Sequence, residues 1–203
     1  MFNKIHNSKT GFSLVELILA MGISTLILIG IYSVFSITSK NFTTQNATAS
    51  AQQSLRTAIG LMARDIRAAG LDPVDSDNFG FEHATRTKIG VTADSIDGTG
   101  EFNGTVDDTN FERITYEFKD NQIEQTLYGD ADSAAPLISN IDDVEFKYFD
   151  SANNDLGDPV PADQREDIRT VEIQITVAQP AGIDAPVSRT LTRRVECRNM
   201  AFN

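Results

Sequence analysis

KTGFSLVELILAMGISTLILIGIYSVFSITSK, Lys9–Lys40, is the stretch that decides how this chain is built. From Phe12 to Ser39 it runs for 28 residues with Glu16 as the only charge. As a helix these residues cover about 42 Å at 1.5 Å per residue, against a bilayer hydrocarbon core of about 30 Å. The segment can cross a membrane and still project beyond it. A secretory signal has a shorter apolar core that ends at a small-residue cleavage site. Here the run is too long, and no Ala-x-Ala-like stretch follows it. Lys4 and Lys9 precede the run, and Lys40 is the only basic residue close behind it. By the positive-inside rule the N-terminus stays cytoplasmic and the remainder is exported.

The helical pattern continues past the apolar run. Ala51, Leu55, Ala58, Met62, Ile66 and Ala69 recur at steps of three and four, which places them on one face. Gln53, Arg56, Arg64 and Arg67 occupy the rest, and Asp65 is expected to pair with nearby arginines on the helix surface. Gly70 and Pro73 supply the stop. One helix over Phe12–Ala69 would be about 87 Å long. Residues 74–110 then read as a long irregular connection, with one strand expected at Lys88–Val91. Alternation at Ile114, Tyr116 and Phe118, the pair Asp120-Asn121, and Ile123 with Leu127 predict a hairpin. Val144, Phe146 and Tyr148 predict another strand, with Phe149 breaking its polar face. Val171–Val177 and Val187–Val195 predict two more, joined through QPAGIDAP. The fold class is α+β, a long N-terminal helix packed on an antiparallel sheet. The expected divisions are 12–39 as the membrane helix, 40–70 as its amphipathic continuation and 71–203 as an acidic β-rich domain.

Charge is divided as sharply as hydropathy. Residues 1–70 hold six basic and two acidic side chains, whereas 71–203 hold eleven and twenty-seven, a balance of −16. Such a domain repels phosphate backbones, so nucleic acid is not an expected partner. The single Cys197 excludes an intramolecular disulfide and a cysteine zinc cluster, and His6 with His83 cannot form a multi-histidine metal site. His83 reads as a surface or packing residue. Cys197, beside Arg194 and Arg198, reads as a small packed residue, the other reading being a thiol of lowered pKa. Neither a nucleophile elbow nor a phosphate loop is present, and no catalytic residue or cofactor is expected. Two acidic clusters, one with Asp94 and Asp97 and the other with Asp150 and Asp155, are candidates for calcium. Neither fits the spaced EF-hand pattern, and turn formation accounts for both.

A short basic leader, then Gly11, then a retained apolar helix is an unusual order. Written KTGFSLVELILAMGIS, it resembles the type IV prepilin signature through Lys9, Gly11, Phe12, Ser13, Leu14, Val15 and Glu16. The resemblance implies scission between Gly11 and Phe12 by a prepilin peptidase/methyltransferase, and N-methylation of Phe12. It also implies that Glu16 pairs with the new N-terminal amine, in its own or an adjacent subunit, during filament assembly. Cleavage would remove 1–11 as a leader, and His6 with it. Ser33 is a departure, since many major pilins carry a helix-kinking proline in that region. LMARDIRAAGLDP, Leu61–Pro73, is similar to the end of the long helix in PilW-type minor pilins and PulJ-type minor pseudopilins. That likeness implies a structural minor subunit in the inner membrane, with other pilins or pseudopilins, the assembly platform and lipid as partners. It does not separate a type IV pilus from type II secretion. The competing reading is a periplasmic binding domain on a plain signal anchor. A plain anchor has no use for a carboxylate at Glu16, since intramembrane charges are costly and mark function.

Overall fold

A computed structural model of the chain describes residues 11–96, 100–107, 112–127, 134–181 and 184–201. One helix, α1, runs Leu14–Ala68. Eight strands follow: β1 (Phe81–Ala84), β2 (Lys88–Thr92), β3 (Arg113–Lys119), β4 (Gln122–Leu127), β5 (Ala135–Ser139), β6 (Ile141–Phe149), β7 (Thr170–Ala181) and β8 (Asp184–Glu196). Short 3-10 turns lie at Ala162–Asp167 and Asn199–Ala201. The chain divides into two compact units, Met1–Asn46 and Ala47–Asn203.

In the first unit the described residues are helix with its apolar side chains bare. Leu14, Leu26, Tyr32 and Phe35 are each more than two-thirds exposed. By length and composition this helix can cross a membrane. Nothing within the unit covers it, and lipid or another helix is the environment such a surface requires.

In the second unit the later turns of α1 bury Leu55, Ala58, Ile59, Met62, Ala63 and Ile66 in one core with both sheets. This is the α+β arrangement that the periodicity predicts, except that there are two antiparallel sheets rather than one. Strands β1 to β5 form the first in sequential order, and β6 to β8 form the second. The division falls at Asn140, whose φ of 62° turns the chain sharply between β5 and β6. The hairpin β3–β4 closes through Asp120 and Asn121 at φ 50° and 59°, the left-handed pair that a two-residue turn needs. β1 and β5 were not legible in the sequence. Each is only four or five residues long, too short for alternation to stand out. Phe149 breaks its strand's polar face because it too is buried, under the Arg194 guanidinium 4.6 Å from its ring centroid.

The helix ends where Gly70 adopts φ +75° and donates its N–H to the Thr92 carbonyl. A Cβ there would approach the Met200 sulfur to 2.5 Å, so glycine is required twice over. Asn199 Nδ2 donates to the carbonyls of Arg67 and Ala68, the latter also accepting the Leu71 N–H, and caps the helix from the far end of the chain.

Asp65 corrects an expectation. Rather than lying on the helix surface, it is 6 % exposed and accepts a 2.6 Å hydrogen bond from the Tyr116 hydroxyl. Arg64 does pair with it, at 2.7 Å, but from the rim. Gln125 Nε2 donates to the same hydroxyl at 3.0 Å. Burial, and then the bond to Asp65, hold the Tyr116 phenol protonated far above its ordinary range. Tyr116→Phe leaves one buried carboxylate oxygen without this donor. It should cost about 1.5–3 kcal/mol, the range for hydrogen bonds to charged groups. The check is the denaturant midpoint of the full chain in neutral detergent, with the slope unchanged.

Cys197 is also buried, and burial pushes its thiol up to about 12. The lowered-pKa reading is therefore overturned: desolvation outweighs the attraction of Arg169. Tyr148 is likewise held well above its usual value by burial. For all three groups the folded pKa exceeds the unfolded one, so unfolding releases protons once the pH passes the unfolded value. Their contribution is complete below about pH 8, where even the unfolded thiol is protonated, and declines as the pH rises through the unfolded and toward the folded pKa values. Thermal midpoints should fall steadily from pH 9 to 11. A flat profile over that range would contradict the burial of these groups.

Candidate processing and assembly segment

Gly11, Phe12 and Ser13 precede the helix, and α1 begins at Leu14. The Ser13 carbonyl accepts the Leu17 N–H at 3.2 Å, which makes Ser13 the residue that opens the helix. Glu16 then falls in the first turn, where unsatisfied N–H groups and the macrodipole favour negative charge. Ser13 and Glu16 have the Ser-x-x-Glu spacing of a capping box, a signal the sequence reading passed over. Among the described residues Glu16 has no hydrogen-bond or ion-pair partner. Nor is it an i, i+4 helical neighbour of Phe12 here, because Phe12 lies outside the helix. The nitrogen of Phe12 is in a peptide bond in the uncut chain, so it carries no positive charge to offer.

Gly11 is informative for what does not surround it. A Cβ at this position would meet nothing within 4 Å, and its φ lies outside the left-handed region. The fold of this chain places no demand for glycine there. Phe12, next to it, is 86 % exposed. Gly11 and Phe12 are thus both exposed immediately before the helix.

The acidic clusters present a different chemistry. Asp94 is 2 % exposed, and its Oδ2 accepts from the Gly104 N–H at 3.2 Å. Its Oδ1 has no partner among the described residues. Glu112, equally buried, accepts from the N–H and hydroxyl of Ser95 and from the Asp107 N–H. Asp97 lies outside the described residues. Asp150 accepts two bonds from Asn154, which hold its carboxyl below the usual range, and Asp155 accepts from the Gly157 N–H. Both close their own turn. Among the described residues no group of three or more His, Cys, Asp or Glu could hold a metal ion. His83 is exposed on β1 with its ring edge over Gly90, and partial burial lowers its pKa.

The segment around Gly11 is also where similarity to known proteins lies. No curated protein matches the chain. Residues 6–32 match the family model of the prokaryotic N-terminal methylation motif. The motif joins the leader, the Gly11-Phe12 junction, Glu16 and the bare apolar helix into one unit. The chain thus carries a type IV pilin-type signal at the head of an α+β protein.

Proposed function

We propose that this chain is a structural minor pilin or pseudopilin. It is cut between Gly11 and Phe12 by a prepilin peptidase, methylated on Phe12, and assembled with other pilins or pseudopilins from the inner membrane. Its N-terminus is cytoplasmic and its β-rich unit is exported. The observation that carries the reading is Glu16, a lone carboxylate in the first turn of a bare apolar helix, four residues past the junction. Cleavage creates the missing partner by turning the Phe12 amide nitrogen into a cationic amine. The likeness of Leu61–Pro73 to PilW-type and PulJ-type subunits supports a minor subunit of an initiation or tip complex. A type IV pilus and a type II secretion pseudopilus fit that likeness equally. The reading requires no catalytic residue, cofactor or metal.

Mass spectrometry of the membrane-extracted protein tests this. The expected chain begins at Phe12 and carries one added methyl group. A chain that still begins at Met1 would instead fit the plain signal anchor.

A further inference from the structure

A cleft of about 380 Å³ opens on the β-rich unit between Arg67 at the end of α1, Asn153, Thr170, Arg194, Glu196 and Arg198. Arg194 is already engaged. Its Nε donates to Glu172 at 2.7 Å, its Nη1 donates to Asn153 at 3.1 Å, and its plane covers Phe149. Arg67 and Arg198 are exposed, and neither guanidinium has a hydrogen-bond or ion-pair partner among the described residues. Both line this cleft, so two guanidiniums without an acidic partner among the described residues stand together there. Three arginines here face two carboxylates, Glu172 and Glu196, so the local charge matches one further carboxylate. The planar forks suit that group geometrically.

Suitable carboxylates lie close to the cleft wall along the chain. The 3-10 turn Ala162–Asp167 exposes Asp163, Glu166 and Asp167, none with a side-chain partner among the described residues. Asp167 is three residues before Thr170 in the cleft wall, within about 11 Å by chain reach. The Cys197 N–H donates to the Arg169 carbonyl at 2.9 Å, which seats Arg198 beside the end of that turn. Yet within one chain the three carboxylates do not pair with Arg67 or Arg198. A surface with adjacent acidic and basic halves is self-complementary under a two-fold axis, because each residue that gives a contact also receives one.

We propose that this face docks a second copy of the chain, the acidic turn of each copy entering the Arg67–Arg198 cleft of the other. Like charges elsewhere on the two domains oppose other orientations, so the pairing sets geometry more than strength. The contact is independent of Glu16 and of the processing at Gly11.

Charge exchange between copies is the test. Full-length chain in neutral detergent receives a photo-crosslinking benzoylphenylalanine at the exposed Gln164. Wild type should give a dimer joined to the partner copy's segment around Thr170 or Arg198. Arg67→Glu/Arg198→Glu should lower the yield about tenfold, and Asp163→Lys/Glu166→Lys/Asp167→Lys should do the same. Mixing these two variants pairs a native acidic turn with a native arginine cleft, and a lysine turn with a glutamate cleft, so one contact keeps its signs, the other exchanges them, and the yield should return to near wild type. A misfolded variant could not recover in this way. The proposal is overturned by absence of the wild-type dimer, by undiminished yield in either variant, or by no recovery on mixing. It is equally overturned if the probe captures lipid or a different protein instead of the second copy.

Discussion

Gly11→Leu should accumulate in the membrane as uncut chain, with no detectable species beginning at Phe12. The expected effect is all or none, because the substitution acts on a cleavage event. A side chain at Gly11 meets open space, and α1 starts three residues later at Leu14, so the fold itself tolerates leucine. Insertion depends on the apolar run from Phe12, which is untouched. A loss of processing with folding and membrane anchoring retained would therefore be assigned to the peptidase's own requirement at the position before the cut. Immunoblotting of membranes for the size shift, followed by N-terminal mass spectrometry, makes the measurement. Normal cleavage of Gly11→Leu would remove the prepilin reading, because no other feature explains a glycine at this open position.

Glu16→Ala should be inserted and cleaved normally yet be lost from assembled complexes. A charged side chain at the centre of a membrane helix costs about 2.5–3.5 kcal/mol, and less near the interface. Alanine relieves that cost and is the better helix former, so insertion should not suffer. What disappears is the carboxylate opposite the amine that cleavage exposes. The gain from a buried ion pair is uncertain once desolvation is counted, so the pair is better understood as fixing axial register than as adding affinity. Among the described residues of the uncut chain Glu16 has no partner and Phe12 lies before the helix, so the proposed pair requires cleavage. Co-purification with the other subunits, wild type against Glu16→Ala, should show recovery reduced about tenfold or more, the loss attached to an ion pair of roughly 1.4 kcal/mol or stronger. Equal recovery would refute the pairing role and leave the processing result intact.

Much of the architecture is carried by information that is local in the chain, and this was legible. The apolar run needs only its own length to specify a membrane-competent helix. The steps of three and four between Leu55, Ala58, Met62 and Ile66 put those side chains on one face whatever they meet, and all four are buried. Asp120 and Asn121 tolerate positive φ because of their own side chains, so the β3–β4 hairpin was readable as a pattern of residue types. The junction at Gly11 and the charge at Glu16 are likewise statements about neighbours.

Other features depend on residues that are distant in sequence. Asp65 has the composition of a surface helix residue, and the Tyr116 hydroxyl, 51 positions later, joins Arg64 at the rim in making its burial tolerable. Cys197 has arginines as chain neighbours, but the core around it desolvates the thiol, and desolvation outweighs the attraction of Arg169. β1 and β5 are too short to show a period, and they acquire their strand character from the partners they bond to in the sheet. Arg67 and Arg198 stand 131 residues apart, and the closing of α1 by Asn199 brings both to one cleft of the β-rich unit. The sequence by itself determined the signal, the membrane helix and its amphipathic continuation, because residue type and spacing suffice for each. Tertiary structure alone decided which charges are buried, which are paired and which are left free, because desolvation and hydrogen bonding depend on groups that only folding brings together.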